Sequence, residues 1–478
     1  MGTGLPCGGS GHRVLIENSE YWLRNYGDVA MLEVTVRRLR ARWPLVRIGI
    51  MTESPALVAA YFPGTVGITV GDRDPWGDPG LRERVAAALG PAVVGPVAIG
   101  WLRARAWLLP RAIHVRDTLR NRGGGRAEVT EGRTETTSDN EPRTVDAGIA
   151  PRPDSGTVAD TTPRIEQRHP GAARAVRGAS LVVGLGGGYL TDADIPQAGR
   201  VFDLLEYASD TGIPTALVGQ GLGPLRDPEL SARAARVLAG LPLIALRERR
   251  RGPALLESFG VPPGAVTVTG DDAIELARDA RSPELGGDIG VCLRVAKYSP
   301  VARRAQDGVG IAVRAAAAEF GARLVPLIIA ETPGSPDRAT TLPLVRGSAN
   351  PAAPLPLFVR PADVAEQLAS CRVLVTGAYH LAVFALSQGI PVVALTSTEY
   401  YDDKFLGLDD MFKGGVRLVH FDDPDFVERL GAAIADSWED APQLRDSLRA
   451  RADEQVVSGQ QLYERLFELL ERTHIEHA

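Results

Sequence analysis

The residues able to hold or move charge sit at punctuated positions along this chain. His380 opens an apolar helical pattern within VTGAYHLAVFALSQGIPVVAL, Val375 to Leu395, and Lys404 lies just beyond the next strand-like run, in STEYYDDKFLGL. Arg294 ends the run IGVCLR, and Arg247 directly follows a run in ALRERRRG, where Arg249 to Arg251 read instead as a solvated helix face. A single histidine on a helix is ordinarily structural. Four cation-capable groups, each at the end of an apolar run, are better explained by convergence on an anion: planar arginine matches carboxylate and phosphate, and imidazole titrates near neutrality. Of 53 Lys plus Arg, only positions 297, 404 and 413 are lysine, a bias that GC-rich coding explains and that makes Lys404 stand out.

The first half of the chain supplies carboxylates and glycine-rich turns. In NYGDVAMLEVTVRRLR, Asn25 to Arg40, Gly27 permits a tight turn and Asp28 can cap the helix, whose free N–H groups would face an anion or a hydroxyl. An ordinary N-cap accounts for the same residues. VVGLGGGYLTD, Val182 to Asp192, and VGQGLGPL, Val218 to Leu225, each put glycines after an apolar run, including Gly187 and Gly188 in the first and Gln220 in the second. Backbone can approach a ligand closely there. Tyr189 occupies the third glycine position of GxGxxG and no helix follows at once, which argues against a dinucleotide site. Asp271 and Asp272, in TVTGDDAIELA, stand where a strand turns into a helix and serve either as caps or as contacts to acceptor hydroxyls.

These groups meet only if the fold brings strand ends together. Apolar runs at Arg13 to Glu17, Arg47 to Met51, Val66 to Val70, Ser180 to Gly184, Pro214 to Gly219, Pro242 to Leu246 and Ala265 to Thr269 alternate with helical periodicity. A second series follows at Asp288 to Arg294, Arg323 to Ile329, Arg372 to Thr376, Pro391 to Thr396 and Val416 to His420. This pattern predicts an α/β protein of two doubly wound, Rossmann-like domains facing a cleft. Residues 12–120 and 171–285 are expected to form the first domain and 286–478 the second, with terminal helices from Asp440 to Arg472. Residues 121–170 contain no Leu, Phe, Trp, Tyr or Met and read as a disordered insertion. Glu331 to Pro361, with seven prolines, reads as a long loop.

The 478 residues, 44% of them hydrophobic, are enough for a sizeable core, and a net charge of −6 argues against nucleic acid as a partner. Cys7, Cys292 and Cys371 form no CxxC, so neither a disulfide scaffold nor a zinc site is expected. No run reaches the ~18 to 20 apolar residues of a membrane span, and the N-terminus lacks the pattern of a secretory signal. A soluble, cytoplasmic protein is therefore expected. Pro91 to Arg120, with five arginines from Arg103 onward, could touch an anionic membrane surface, although a solvated amphipathic helix is the simpler reading. Oligomeric state is not legible.

From about Ile16 to Leu408, the order of motifs resembles the polysaccharide pyruvyl transferase family. The matching pieces are Asn25–Gly27–Asp28, GLGGGYLTD, GQGLGPL, the Arg247 segment, TGDDA, GVCLR, His380 with VFALSQGIPVVAL, and Tyr401…Lys404…Gly407. The resemblance implies a GT-B-like fold and transfer of the carboxyvinyl unit of phosphoenolpyruvate onto saccharide hydroxyls as a ketal, with that donor as co-substrate and no cofactor or metal. It further implies His380, Asp28 and Asp271 as catalytic groups, and Arg294, Lys404, Arg247 and Gly377 around the donor. Asn25, Gly187, Gly188 and Gln220 would face the acceptor, a glycan of the cell envelope or a related saccharide. Ala378 stands where the family commonly has arginine. Either the remaining cations suffice, or the donor or the chemistry has changed. The alternatives are a sugar-nucleotide glycosyltransferase of the same architecture and a carbohydrate- or anion-binding relative without catalysis.

Overall fold

The computed structural model describes residues 11–18, 20–102, 162–296, 299–332 and 336–476. Apolar runs from the first half form an eight-stranded sheet: β1 (Arg13–Glu17), β2 (Arg47–Met51), β3 (Val66–Ile68), β4 (Leu181–Gly184), β5 (Gly187–Leu190), β6 (Thr215–Leu222), β7 (Leu243–Leu246) and β8 (Val266–Val268). The second half forms a five-stranded sheet from β9 (Asp288–Cys292), β10 (Leu324–Pro326), β11 (Cys371–Thr376), β12 (Val392–Thr396) and β13 (Val416–His420). Every strand pairing is parallel, in the orders β3-β2-β1-β4-β6-β7-β8, with β5 on β6, and β10-β9-β11-β12-β13. Runs such as Val14–Leu15–Ile16 are buried because parallel sheets carry helices on both faces.

The helices around the first sheet are α1 (Tyr26–Arg42), α2 (Pro55–Tyr61), α3 (Leu81–Leu89), α4 (residues 91–102), α5 (Thr162–Arg168), α6 (Pro170–Arg177), α7 (Ile195–Asp210), α8 (Pro228–Ala239), α9 (Gly252–Ser258) and α10 (Ala273–Asp279). Those around the second are α11 (Arg303–Phe320), α12 (Asp337–Val345), α13 (Pro361–Leu368), α14 (Tyr379–Gln388), α15 (Glu399–Phe412) and α16 (Phe426–Glu476). Strand order reverses between β1 and β4 in one sheet and between β9 and β11 in the other. Loops leaving a sheet at such switch points diverge and open a crevice. Both crevices lie on the strand ends that carry the expected site residues.

The two halves are also stitched together. The Tyr26 N–H donates to the Ile329 carbonyl at 2.8 Å and the Glu331 N–H to the Arg24 carbonyl at 2.8 Å. Helix α16 packs on α11 and returns to the first half, where Tyr463 meets Thr35 at 2.7 Å. Asp272 completes that junction through Arg38 at 3.0 Å, which makes it a structural anchor; burial raises its carboxyl to about 6.

Five expectations change. Helix α5 occupies part of the segment read as disordered, because Ile165 packs into the core beside Trp76 and Val176; residues 121–161 lie outside the described set. The proline-rich stretch includes α12, with Pro336 preceding its first turn, where proline needs no N–H partner. Strand β5 was not anticipated, since glycine weakens strands and only pairing to β6 holds it. The terminal segment forms one helix starting at Phe426 rather than at Asp440. Arg250 and Arg251 do not form a solvated helix face: they precede α9 and pair with Asp403, with Arg251 also bonded to Glu399, so they clamp α15 against the first domain. The basic stretch after Pro91 is described only as far as residue 102.

Candidate active site

The strand ends of both sheets enclose a cavity of about 260 Å³. Asn25, Asp28, Gly188 and Arg247 line it from the first domain, and Arg294, His380 and Lys404 from the second. Seven of the eleven expected residues therefore converge, although they span more than 370 positions of sequence. The other four, Asp271, Gln220, Gly187 and Gly377, do not reach the wall.

Helix α14 explains how His380 is held. All ten of its residues are buried, and each fully buried Leu, Val or Phe is worth roughly 1.5–3 kcal/mol, so the helix is fixed from its first turn. Ala378, its N-cap, is 3% exposed and presents only a methyl to the cavity. Gly27 has a role the sequence did not indicate. It lies in the first turn of α1, and a Cβ there would fall 2.1 Å from the His380 ring, so its bare backbone makes the seat for the imidazole.

Behind His380, Asp271 joins two functional groups. Its side chain has no exposure; Oδ2 lies 3.4 Å from an Arg247 nitrogen and 3.7 Å from His380 Nε2, while Oδ1 accepts from the Ala273 N–H at 3.0 Å. It cannot touch an acceptor hydroxyl, and instead orients Arg247 and His380. The Arg247 guanidinium also lies over the Tyr379 ring, 4.0 Å from its centroid. Among the described residues, Nε2 of His380 has no hydrogen-bond partner. Burial holds the His380 imidazolium below its ordinary pKa; Asp271 and Asp28 oppose this, and Arg247 and Lys404 add to it. These surroundings favour the neutral ring near pH 7.

Arg294 is paired with Asp337 at 3.0 Å. Among the described residues, Lys404 has no carboxylate within 4 Å; its Nζ rests 3.9 Å from the Tyr400 ring centroid and 5.2 Å from that of Tyr401. Desolvation, then Arg247, hold this ammonium well below the usual lysine range, with Asp28 opposing and Arg294 adding. Such a cation is poised for an incoming anion. Gly188 leaves the space in which the two cations meet, for a Cβ there would lie 2.8 Å from Lys404 Nζ and 3.0 Å from an Arg247 nitrogen. Gly188→Ala is expected to raise the donor KM about tenfold while changing unfolding free energy by less than about 0.5 kcal/mol, because the displaced atoms are side-chain ends rather than core. Steady-state kinetics and thermal melts check both halves.

The opposite wall is acidic and hydroxylic. Asp28 sits in the first turn of α1 facing the cavity, and the cap is Asn25, whose Oδ1 accepts from the Gly27 N–H at 3.1 Å. Glu20 accepts from the backbone of Trp22 and Arg24 and shapes the loop that presents Asn25. Thr191, Asp194 and Gln197 extend this wall. Gln220 is fully buried and donates to the Leu185 carbonyl and the Tyr189 hydroxyl, both at 2.6 Å, so it acts by placing Tyr189 on the wall. Gly187 opens β5 opposite Gln220, and Gly377 packs on the Arg294 backbone. Tyr379 and Tyr400 were not anticipated, and Tyr401 was noted only within a family motif; the last two precede Lys404 by four and three residues, the helical spacing that puts side chains on one face. Among the described residues, no group of three His, Cys, Asp or Glu is arranged to hold a metal ion. No helix there is long and apolar enough to cross a membrane.

Two parallel, doubly wound sheets around a cation-lined cleft define a two-domain enzyme of GT-B architecture. The fold is similar to that of the S. aureus MnaA–UDP co-structure, with TM-score 0.53 and 10% identity over 96% of this chain and 97% of the other. It is also similar to UDP-GlcNAc 2-epimerase from Neisseria meningitidis bound to UDP-GlcNAc, with TM-score 0.51 and 10% identity over 95% and 99%. At such identity the likeness concerns the fold alone. No curated protein matches the sequence. Residues 25–399 match the polysaccharide pyruvyl transferase family, and the chain belongs to it. It is thus an enzyme of saccharide pyruvyl transfer, and the matched span contains every residue discussed above except Glu20, Tyr400, Tyr401 and Lys404 at the cavity.

Proposed function

We propose that the enzyme transfers the pyruvyl unit of phosphoenolpyruvate to two hydroxyls of one saccharide residue, forming a ketal and releasing phosphate. The observation that supports this best is the pairing of a compact, three-cation wall with an acidic one around a cavity of about 260 Å³. Small-molecule sites commonly run ~300–1,000 Å³, so this one suits a three-carbon phosphate better than a sugar nucleotide. Lys404, Arg294 and Arg247 meet the donor's phosphate and carboxylate.

Protonation of the donor methylene makes its C2 electron-poor. One acceptor hydroxyl attacks C2 and gives its proton to Asp28; the C2–O bond to phosphate then breaks, and the second hydroxyl closes the ketal. Of the two hydroxyl protons, one balances the methyl group and the other leaves on hydrogen phosphate. His380, held neutral by burial, is drawn toward protonation by the donor's charge and acts as the acid. The scheme itself calls for neither metal nor organic cofactor.

The test is phosphate release from phosphoenolpyruvate by the full chain in the presence of a panel of glycans. Acceptor-dependent release that disappears in His380→Ala is expected. No release with any acceptor, together with thermal stabilisation by UDP-sugars but not by phosphoenolpyruvate, would favour a glycosyltransferase instead.

A further inference from the structure

Outside the cleft, the second domain carries a groove of about 450 Å³ between α11 and α12. Arg303, Asp307, Ile311 and Arg314 project from one face of α11, at the spacing of successive helical turns, while Thr340, Pro343 and Arg346 form the other bank. Gly310 leaves room for the Arg314 side chain, because a Cβ there would lie 2.8 Å from an Arg314 nitrogen. Arg314 consequently lies along the floor and donates to the Leu344 carbonyl at 2.8 Å.

The lining has a definite chemistry. Three guanidiniums face one carboxylate, Asp307, which is already paired with Arg303 at 3.3 Å. Among the described residues, Arg314 and Arg346 have no carboxylate within 4 Å. Ile311 is 54% exposed in the middle of this basic setting, where an isolated charge-binding patch would have no use for an apolar surface. Guanidinium pairs recognise carboxylates, Gln306 and Thr340 offer partners to hydroxyls, and Ile311 with Pro343 offers a flat apolar surface to the C–H face of a sugar ring. The groove also connects to the cleft through one helix: Asp337 in the first turn of α12 holds Arg294, and Thr340, one turn on, bonds the Leu293 carbonyl.

We propose that this groove is a second glycan site, taking a saccharide that bears carboxylates. On the reading of the enzyme as a pyruvyl transferase, whose products gain one carboxylate for each residue modified, its occupant is an already modified stretch of the acceptor polymer. A chain held there would stay on the enzyme between transfers, while its unmodified residues enter the cleft.

Isothermal titration of the full chain with oligogalacturonate, with a maltooligosaccharide of equal length and with inorganic phosphate tests the assignment. Arg346→Glu, on an exposed position after α12, and the double variant Arg314→Ser/Arg346→Ser are the comparisons. The expected result is binding of oligogalacturonate by the wild type, weakened at least tenfold in both variants, with the neutral oligomer silent and phosphate much weaker. Arg346→Glu should leave acceptor-dependent phosphate release on a short neutral acceptor unchanged. Equal affinity in wild type and Arg346→Glu, or loss of binding in Lys404→Met alone, would overturn the proposal by moving the saccharide to the cleft. Binding no stronger than that of phosphate would overturn it by reducing the groove to an unspecific anion patch. Absence of phosphate release throughout would count against the transferase reading and leaves the binding comparison intact.

Discussion

Asp271→Asn is expected to lower kcat for phosphate release by ~100- to 1,000-fold, the range seen when a single group stabilising transition-state charge is lost, with little change in acceptor KM. Asp271 touches neither substrate, so the effect must pass through its neighbours. Its Oδ2 is shared between Arg247 at 3.4 Å and His380 at 3.7 Å, in a site without exposure. An amide keeps the bond from the Ala273 N–H and much of the shape, but not the charge. Two consequences can be separated. Arg247, left without its counter-charge and held only by the Tyr379 face, becomes free to turn, which weakens the grip on the donor. His380 loses the larger of the two interactions that oppose the lowering of its pKa, so its protonation moves to still lower pH. The alkaline limb of the kcat/KM profile, set by the group that must be protonated, should therefore shift to lower pH in the variant. A residue that was merely structural would reduce the amount of folded enzyme without moving that limb. Asp271→Ala, which leaves a buried guanidinium unpaired, should in addition cost about 3 kcal/mol of stability.

Lys404→Met is expected to affect function and stability in opposite directions. Donor-dependent turnover should fall by at least ~100-fold, since a fixed cation is removed from the position meant for phosphate or carboxylate. Stability should rise, by about 1 kcal/mol, because the wild-type ammonium is desolvated and crowded by Arg247 and Arg294, against which Asp28 and two aromatic faces give little. The sign with pH follows from the lowered pKa. Above about 10.5, the ordinary lysine value, neither state carries the charge and the two proteins should be equally stable. As pH falls, the unfolded wild type takes up the proton before the folded state does, so the wild type loses ground to the variant until the folded pKa is reached; below that the gap is constant. An anionic donor reverses the imbalance. Donor binding to the wild type should be accompanied by proton uptake, visible as a dependence of the measured heat on buffer ionisation enthalpy and reduced in Lys404→Met. Equal proton uptake by both proteins would remove Lys404 from this role.

Ala378 stands where the resemblance to the family leads to an expected arginine. Ala378 presents a methyl at the N-cap of α14, and the cavity's positive charge comes from Arg294 and Arg247 on two strand-end loops and from Lys404 on α15. Arg294 is itself placed by Asp337 in the proline-rich segment, so that part of the chain, featureless as a pattern, helps to build the cavity's cationic wall.

Among the described residues, twelve of the thirteen strands were legible, because parallel strands buried on both faces must be written as continuous apolar runs, whatever their neighbours. The exception, β5, is written mostly in glycine and exists only through pairing with β6. Charge at strand ends was legible for a similar reason: a guanidinium, ammonium or imidazole immediately after a buried run emerges at the sheet's edge. What no spacing could reveal is which of those groups face substrate and which face each other. Asp271 and Asp28 look alike as carboxylates near helix starts, yet one is sealed behind Arg247 and His380 while the other lines the cavity. Gly27 and Gly188 look like turn glycines, yet each leaves room for a side chain hundreds of residues away. The sequence by itself determined two doubly wound sheets, the cations at their edges and a family. The division of those residues into contact groups, positioning groups and spacers was decided by tertiary structure alone, because it depends on distances of a few ångströms between segments that adjoin only after the two domains close on one another.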